Sequence, residues 1–195
     1  MRTGNAAFLL TMILHLGAAM ASAPLRLEGV SIPPTLALDD QTLRLNGAGV
    51  RTVMLFVVPV KAYVAALHST VPLRTPAEAM ESREPMEFTF TFLRGVGVSQ
   101  VRQAWLAQIQ SSATHSYAGF ARDRDLFVSL FGAIAPRGTQ SVRLANDETV
   151  MLENGRELGR IPGRDFQKAF LSLWFGPRPV SAELKTALLS SPANQ

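Results

Sequence analysis

The segment "MEFTFTF", residues 86–92, constrains the fold more than any other stretch. Met86, Phe88, Phe90 and Phe92 fall on one side and Glu87, Thr89 and Thr91 on the other, the period of two of a β-strand. Four large apolar side chains on one face need a second layer packed across them. Candidates for that layer follow in the chain. Val98, Val101, Trp105 and Ile109 recur at helical spacing, and so do Leu126, Phe127, Leu130, Phe131 and Ile134. After a Pro-Gly stop, "RDFQKAFLSLWF" reads as a helix buried through Phe166, Ala169, Phe170, Leu173 and Trp174, and Ser181 caps a last helix carrying Leu184 and Leu188.

Other strands surround this one. Leu25, Leu27, Leu43 and Leu45 alternate with polar residues, with Pro33-Pro34 and Asp39-Asp40 as punctuation. "QSVRLA", "TVMLEN" and "ELGRIP" read as a meander with turns at 146–148 and at Asn154-Gly155. Thr75-Pro76-Ala77-Glu78 opens a short helix with a threonine cap, proline at the first position and glutamate to return the capping bond. The run 52–67, with Val53, Met54, Leu55, Phe56, Val57 and Val58 in succession, predicts one or two strands buried on both faces, broken or bulged at Pro59. Strands, helices, strands, helices in that order imply an α+β fold, an antiparallel sheet with helices on one face.

The leader bears on compartment. Arg2 precedes an apolar stretch at 6–19, and Ala19-Met20-Ala21 or Ala21-Ser22-Ala23 fits a small-x-small cleavage site. At roughly 14 residues the stretch is short for a bilayer span, which needs about 20. The expectation is a signal peptide over 1–21, a single domain over 22–195, a periplasmic or secreted location, and membrane contact only through the signal peptide. No cysteine is present, which removes a disulfide framework, a thiol nucleophile and Cys-based zinc. A net charge of +4 with scattered basic residues gives no nucleic-acid footprint.

Catalytic signatures are sparse. There is no G-x-S-x-G elbow, no P-loop and no complete dinucleotide fingerprint. His68 and His115 lack ligand-spaced partners, so neither metal nor cofactor is expected. Asp39-Asp40 and the pair Asp123 and Asp125 read as solvated surface. Arg51 stands out, a permanent cation between Gly47-x-Gly49 and the apolar run. A buried guanidinium without a partner costs several kcal/mol. Either an internal carboxylate such as Glu87 or Asp165 fills its fork, or a ligand does, with an apolar cavity taking the ligand's remainder. Gly47 and Gly49 would form a backbone turn at such a site. Tyr63 could place a phenol beside Arg51, and Met54 and Trp105 could line the cavity, although packing alone also explains all three.

"LNGAGVR", "KAYVAAL" and "NGRELGRIPGRDFQKAFLSLWFGPRPVSAELKTALL" together resemble the chalcone isomerase family, specifically its bacterial secreted chalcone-isomerase-like branch, over about residues 25–190. The resemblance implies an open-faced β-sandwich, a large antiparallel sheet covered on one face by helices. It places Arg51 where the enzymes' arginine guides a phenolate onto an enone, and where non-catalytic fatty-acid-binding members clamp a carboxylate with an arginine and a tyrosine. The enzymes' threonine corresponds to Val58, and their helix tyrosine and asparagine fall near Gly97 and Ala104. The expected function is therefore non-catalytic binding of a small hydrophobic ligand, a fatty-acid-like carboxylic acid, through Arg51. The alternatives are an isomerase of chalcone isomerase type, an intramolecular lyase acting on a phenolic or other enone substrate with Arg51 catalytic, and a structural or interaction module.

Overall fold

The alternating strand lies at the centre of the sheet. In the computed structural model, which describes residues 23–112 and 116–190, seven antiparallel strands run in sequence order: β3 (Thr35–Leu38), β4 (Gln41–Leu55), β5 (Val58–Ser69), β6 (Met86–Phe92), β7 (Thr139–Ala145), β8 (Glu148–Glu153) and β9 (Arg156–Pro162). With β6 fourth of the seven, its phenylalanine face has sheet on both sides and must be covered from above. Five helices do so: α1 (Pro76–Glu81), α2 (Val98–Ser112), α3 (Phe120–Leu130), α4 (Arg164–Phe175) and α5 (Ala182–Leu188). The result is a mixed α+β fold, a curled antiparallel sheet covered on one face by helices. Beneath the opposite face, β1 (Leu25–Leu27) and β2 (Val30–Ile32) pair as a separate hairpin, whose Val30 and Ile32 pack on Val64 and Ala66 of β5.

The core is an aromatic stack. Phe88 and Phe90 lie nearly parallel to Trp174 of α4, with ring centroids 5.6 and 5.1 Å apart, and Trp105 of α2 meets Phe90 edge-on at 5.6 Å. Each fully buried phenylalanine contributes about 1.5–3 kcal/mol by leaving water. The caps form where the residues predicted them: Thr75 Oγ1 accepts from the Glu78 amide and Ser181 Oγ from the Leu184 amide. Two-residue turns at Asn146-Asp147 and Asn154-Gly155 take positive φ at both positions, which twists the hairpins correctly.

Several expectations need correction. The helix expected through Ile134 ends at Leu130, and Phe131 caps it in extended conformation. Ile134 instead forms a lone bridge with Val96, which keeps its side chain in the core without a further turn. Asp123 is buried, not solvated: it accepts from the Tyr117 hydroxyl at 2.8 Å and from Arg122 Nε at 2.9 Å. Pro59 breaks nothing, since it pairs with Met54 on a ribbon that has no further strand to call for the N–H that proline lacks. The run 53–58 is the largest departure. It forms the tip of the β4–β5 hairpin and is exposed rather than buried on both faces.

Gly47 and Gly49 are also not a turn. Both lie in extended β4, and what approaches them is α5. A Cβ on Gly47 would overlap the Ala187 carbonyl oxygen and come within 2.6 Å of the Leu188 oxygen; one on Gly49 would be 2.8 Å from Ala187 Cβ. A bulge at Asn46 lies next to this contact. It carries the side chain to the Leu73 and Leu188 carbonyls, at 2.9 and 2.7 Å, while its Oδ1 accepts from the Leu73 amide at 2.7 Å. Gly47→Ala should destabilise the protein by about 1–3 kcal/mol, read as a lower urea midpoint with an unchanged slope.

His68 is buried on the hairpin side of the sheet, and its Nε2 lies 2.9 Å from the Pro33 carbonyl. Desolvation lowers its pKa and outweighs the Pro33 bond and the Glu87 charge, which raise it. The folded state therefore holds neutral imidazole, while the unfolded chain binds a proton near its ordinary value of 6.5. Stability should be constant above that value and fall as pH drops below it. His68→Gln should flatten this acid limb in melting curves recorded at several pH values.

Candidate functional site

Helix α5 covers β4 only as far as Gly49, and the next residue on that face is Arg51. Arg51 pairs across the strands with Tyr63, and Tyr63 with Phe92 of β6. This row is the last in which β4 and β5 belong to the wide sheet. A second bulge follows between Arg51 and Thr52, and residues 52–61 continue as a two-stranded ribbon. The ribbon, α2 and the segment 178–180 border an open-mouthed cavity of about 990 Å³, at the upper end of the range for small-molecule sites.

Its walls are largely apolar: Val53, Leu55 and Val60 from the ribbon, Phe90 and Phe92 from β6, Val101 and Trp105 from α2. The charged residues on them are Arg51, Arg94 and Arg178, with no carboxylate among the lining residues. Arg51 is half-buried and donates from Nη1 to the Thr52 carbonyl at 2.9 Å, leaving most of its fork unused. The internal acids considered for it lie elsewhere: Glu87 pairs with Arg143 at 2.9 Å, and Asp165, in the first turn of α4, is not among the cavity's lining residues. Nearby Glu183 is held by Ser181, whose hydroxyl donates to it at 2.6 Å. Positive charge on low-dielectric walls attracts an anion.

Tyr63 sits against that guanidinium. Burial pushes its phenol above the ordinary tyrosine range, and the Arg51 charge and hydrogen bond recover only part of the shift. The phenol is therefore a neutral donor and acceptor at any physiological pH. On α2, Gln108 lines the cavity, and its amide nitrogen is buried with no acceptor among the described residues.

Of the residues singled out in the sequence, Arg51, Tyr63 and Trp105 meet at this cavity. Trp105 serves the core as well: it stacks on Phe131 at 5.7 Å and its Nε1 donates to Gln140 Oε1 at 3.3 Å. Met54 is not a wall residue. The strand alternation turns Val53 and Leu55 to the cavity and Met54 to solvent on the other side. Gly47 and Gly49 lie beneath α5 rather than at the cavity. Arg94 and Arg178 were not singled out, yet alternation continued past Phe92 reaches Arg94 on the phenylalanine face. Arg178 lies in a segment with no periodicity to place it.

Both tyrosines, Tyr63 and Tyr117, have raised pKa values; burial is the main cause for each, with the Asp123 bond adding to it at Tyr117. At pH 10, the ordinary midpoint, the native protein should show almost no tyrosinate absorbance, and denaturant should reveal both rings as half ionised.

The family model "chalcone isomerase-like" matches residues 24–190, and the chain belongs to that family. No curated protein matches it in sequence. Among solved structures, a fatty-acid binding protein of Arabidopsis thaliana superposes with a TM-score of 0.70 at 17% identity, covering 83% of this chain and 92% of that one. At that identity the likeness establishes the fold.

Proposed function

We propose that this chalcone-isomerase-like chain binds a hydrophobic carboxylic acid of fatty-acid type and acts outside the cytoplasm. The observation that carries the reading is a large apolar cavity whose charged wall residues are all arginines. An acid's carboxylate would replace the Thr52 carbonyl on Arg51 with a two-pronged, charge-assisted pair and accept the Tyr63 hydroxyl proton in a further hydrogen bond. The hydrocarbon would lie along Phe90, Phe92, Val101 and Trp105. Arg94 and Arg178, exposed and without an acid of their own among the described residues, would draw the anion in. The solved fatty-acid binding protein with this fold supports the reading. Export rests on the leader at 1–21, which lies outside the described residues.

The polar groups that would orient a substrate for ring closure are missing from the corresponding positions. Val58 is aliphatic and exposed on the ribbon, while Gly97 and Ala104 carry no hydrogen-bonding side chain. A second reading, a phenolic or enone guest with Arg51 steering an oxyanion, draws on Gln108, whose unpartnered amide would give an oxygen at the guest's far end a donor.

Native mass spectrometry of the protein from its host compartment, with Arg51→Ala alongside, separates these readings. A co-purifying fatty acid in the wild type and its loss in the variant is the expected result, with added acid binding roughly ten- to a hundredfold more weakly to the variant. Equal occupancy in both removes Arg51 as the anchor. Turnover of a chalcone well above background establishes the second reading instead.

A further inference from the structure

The ribbon that walls the cavity ends in an apolar tip that the ligand reading does not use. Phe56 and Val57, the two turn residues, are 93% and 85% exposed, and Met54, Leu55 and Val58 are each more than half exposed. A two-residue hairpin turn with positive φ ordinarily carries glycine or asparagine, yet Phe56 occupies that conformation at φ 56°. The chain thus accepts backbone strain to present the ribbon's largest apolar side chain at its turn. Water is a poor medium for such a cluster.

We propose that this hairpin tip inserts into the surface of a lipid bilayer, and that the cavity fills and empties through it. Three observations favour lipid over a protein partner. First, the ribbon is apolar on both faces: Met54 and Leu55 point to opposite sides and both are exposed. A docking protein or a second copy would cover one face and leave the other wet, whereas acyl chains surround a protruding tip. Second, the residues behind the tip are cationic. Arg51, Arg94 and Arg178 stand at the cavity with no acid among its lining residues, where anionic headgroups would meet them once the tip is buried. Third, Val53, Leu55 and Val60 belong to both the ribbon and the cavity wall, so apolar side chains lead from the tip to the cavity. No helix among the described residues is long and apolar enough to cross a membrane, so this contact is interfacial. The inference rests on the ribbon and the cavity walls, and it stands whichever guest the cavity holds.

The absence of native cysteine makes the test clean. A polarity-sensitive fluorophore is placed on the full chain at F56C, and separately at D40C, in the exposed turn at the opposite end of β4. Both proteins are mixed with phosphatidylcholine vesicles, with and without phosphatidylglycerol. The expected result is a blue shift and quenching by nitroxide lipids at position 56 alone, stronger with the anionic lipid. F56S combined with V57S, with the N-terminal segment retained so that its contribution cancels, should weaken vesicle partition at least roughly tenfold while leaving the melting temperature and fatty-acid binding in detergent-free buffer unchanged. Three outcomes overturn the proposal: no response at 56, an equal response at 40, or a shift at 56 that follows protein concentration without vesicles and tracks a sedimenting dimer. Fatty-acid binding that persists while insertion fails would sink the bilayer contact and leave the ligand reading intact.

Discussion

The contact on which the architecture turns is the approach of α5 to the backbone of β4. Helix and strand come this close only because Gly47 and Gly49 offer no Cβ, and Asn46, turned inward by its bulge, ties the helix end at Leu188 to the loop at Leu73. The contact decides where the helical layer stops. Up to Gly49 the sheet is covered; from Arg51 onward it is not, and the uncovered strip becomes the cavity floor. The two glycines thus act on the site at a distance, by seating the helix whose preceding segment carries Arg178, Pro179 and Val180 into the cavity wall.

How much of this could be read in the residues follows from what a local pattern reports. The alternation at 86–92 located the central strand, and helical spacing located the elements above it, because both patterns record which side faces the core. The caps at Thr75 and Ser181 were legible because they are satisfied within four residues. A run of six apolar residues is different: period two is present in it whether one face, both faces or neither is buried. Nothing between 52 and 61 says that neighbouring strands have ended. The glycines misled for a related reason, since a glycine that admits a helix and a glycine that makes a turn are identical in sequence.

The site itself was partly legible. Arg51 and Tyr63 were visible as a cation and a phenol in apolar surroundings, and their meeting follows from a register that only the bulges at Asn46 and beyond Arg51 establish. Met54 was misplaced by a single step of the pleat. Asp123 was misread because its partners, Tyr117 and Arg122, are close in sequence but are brought to it by the turn that begins α3.

The two bulges give the remaining step. Each lets a strand change which side chain faces inward without breaking the sheet. At Asn46 the change brings a clamp under α5. Beyond Arg51 it accompanies the departure of the ribbon, where β5 loses β6 as a neighbour and β4 and β5 keep only each other. A ribbon two strands wide has little stability of its own in water, and here it carries its most apolar residues where the sheet no longer shelters them. The same few residues therefore close the cavity, hold its cation and display the exposed tip. On the two readings proposed above, binding an apolar anion and meeting a lipid surface would draw on one hairpin, with Arg51 where the ribbon leaves the sheet.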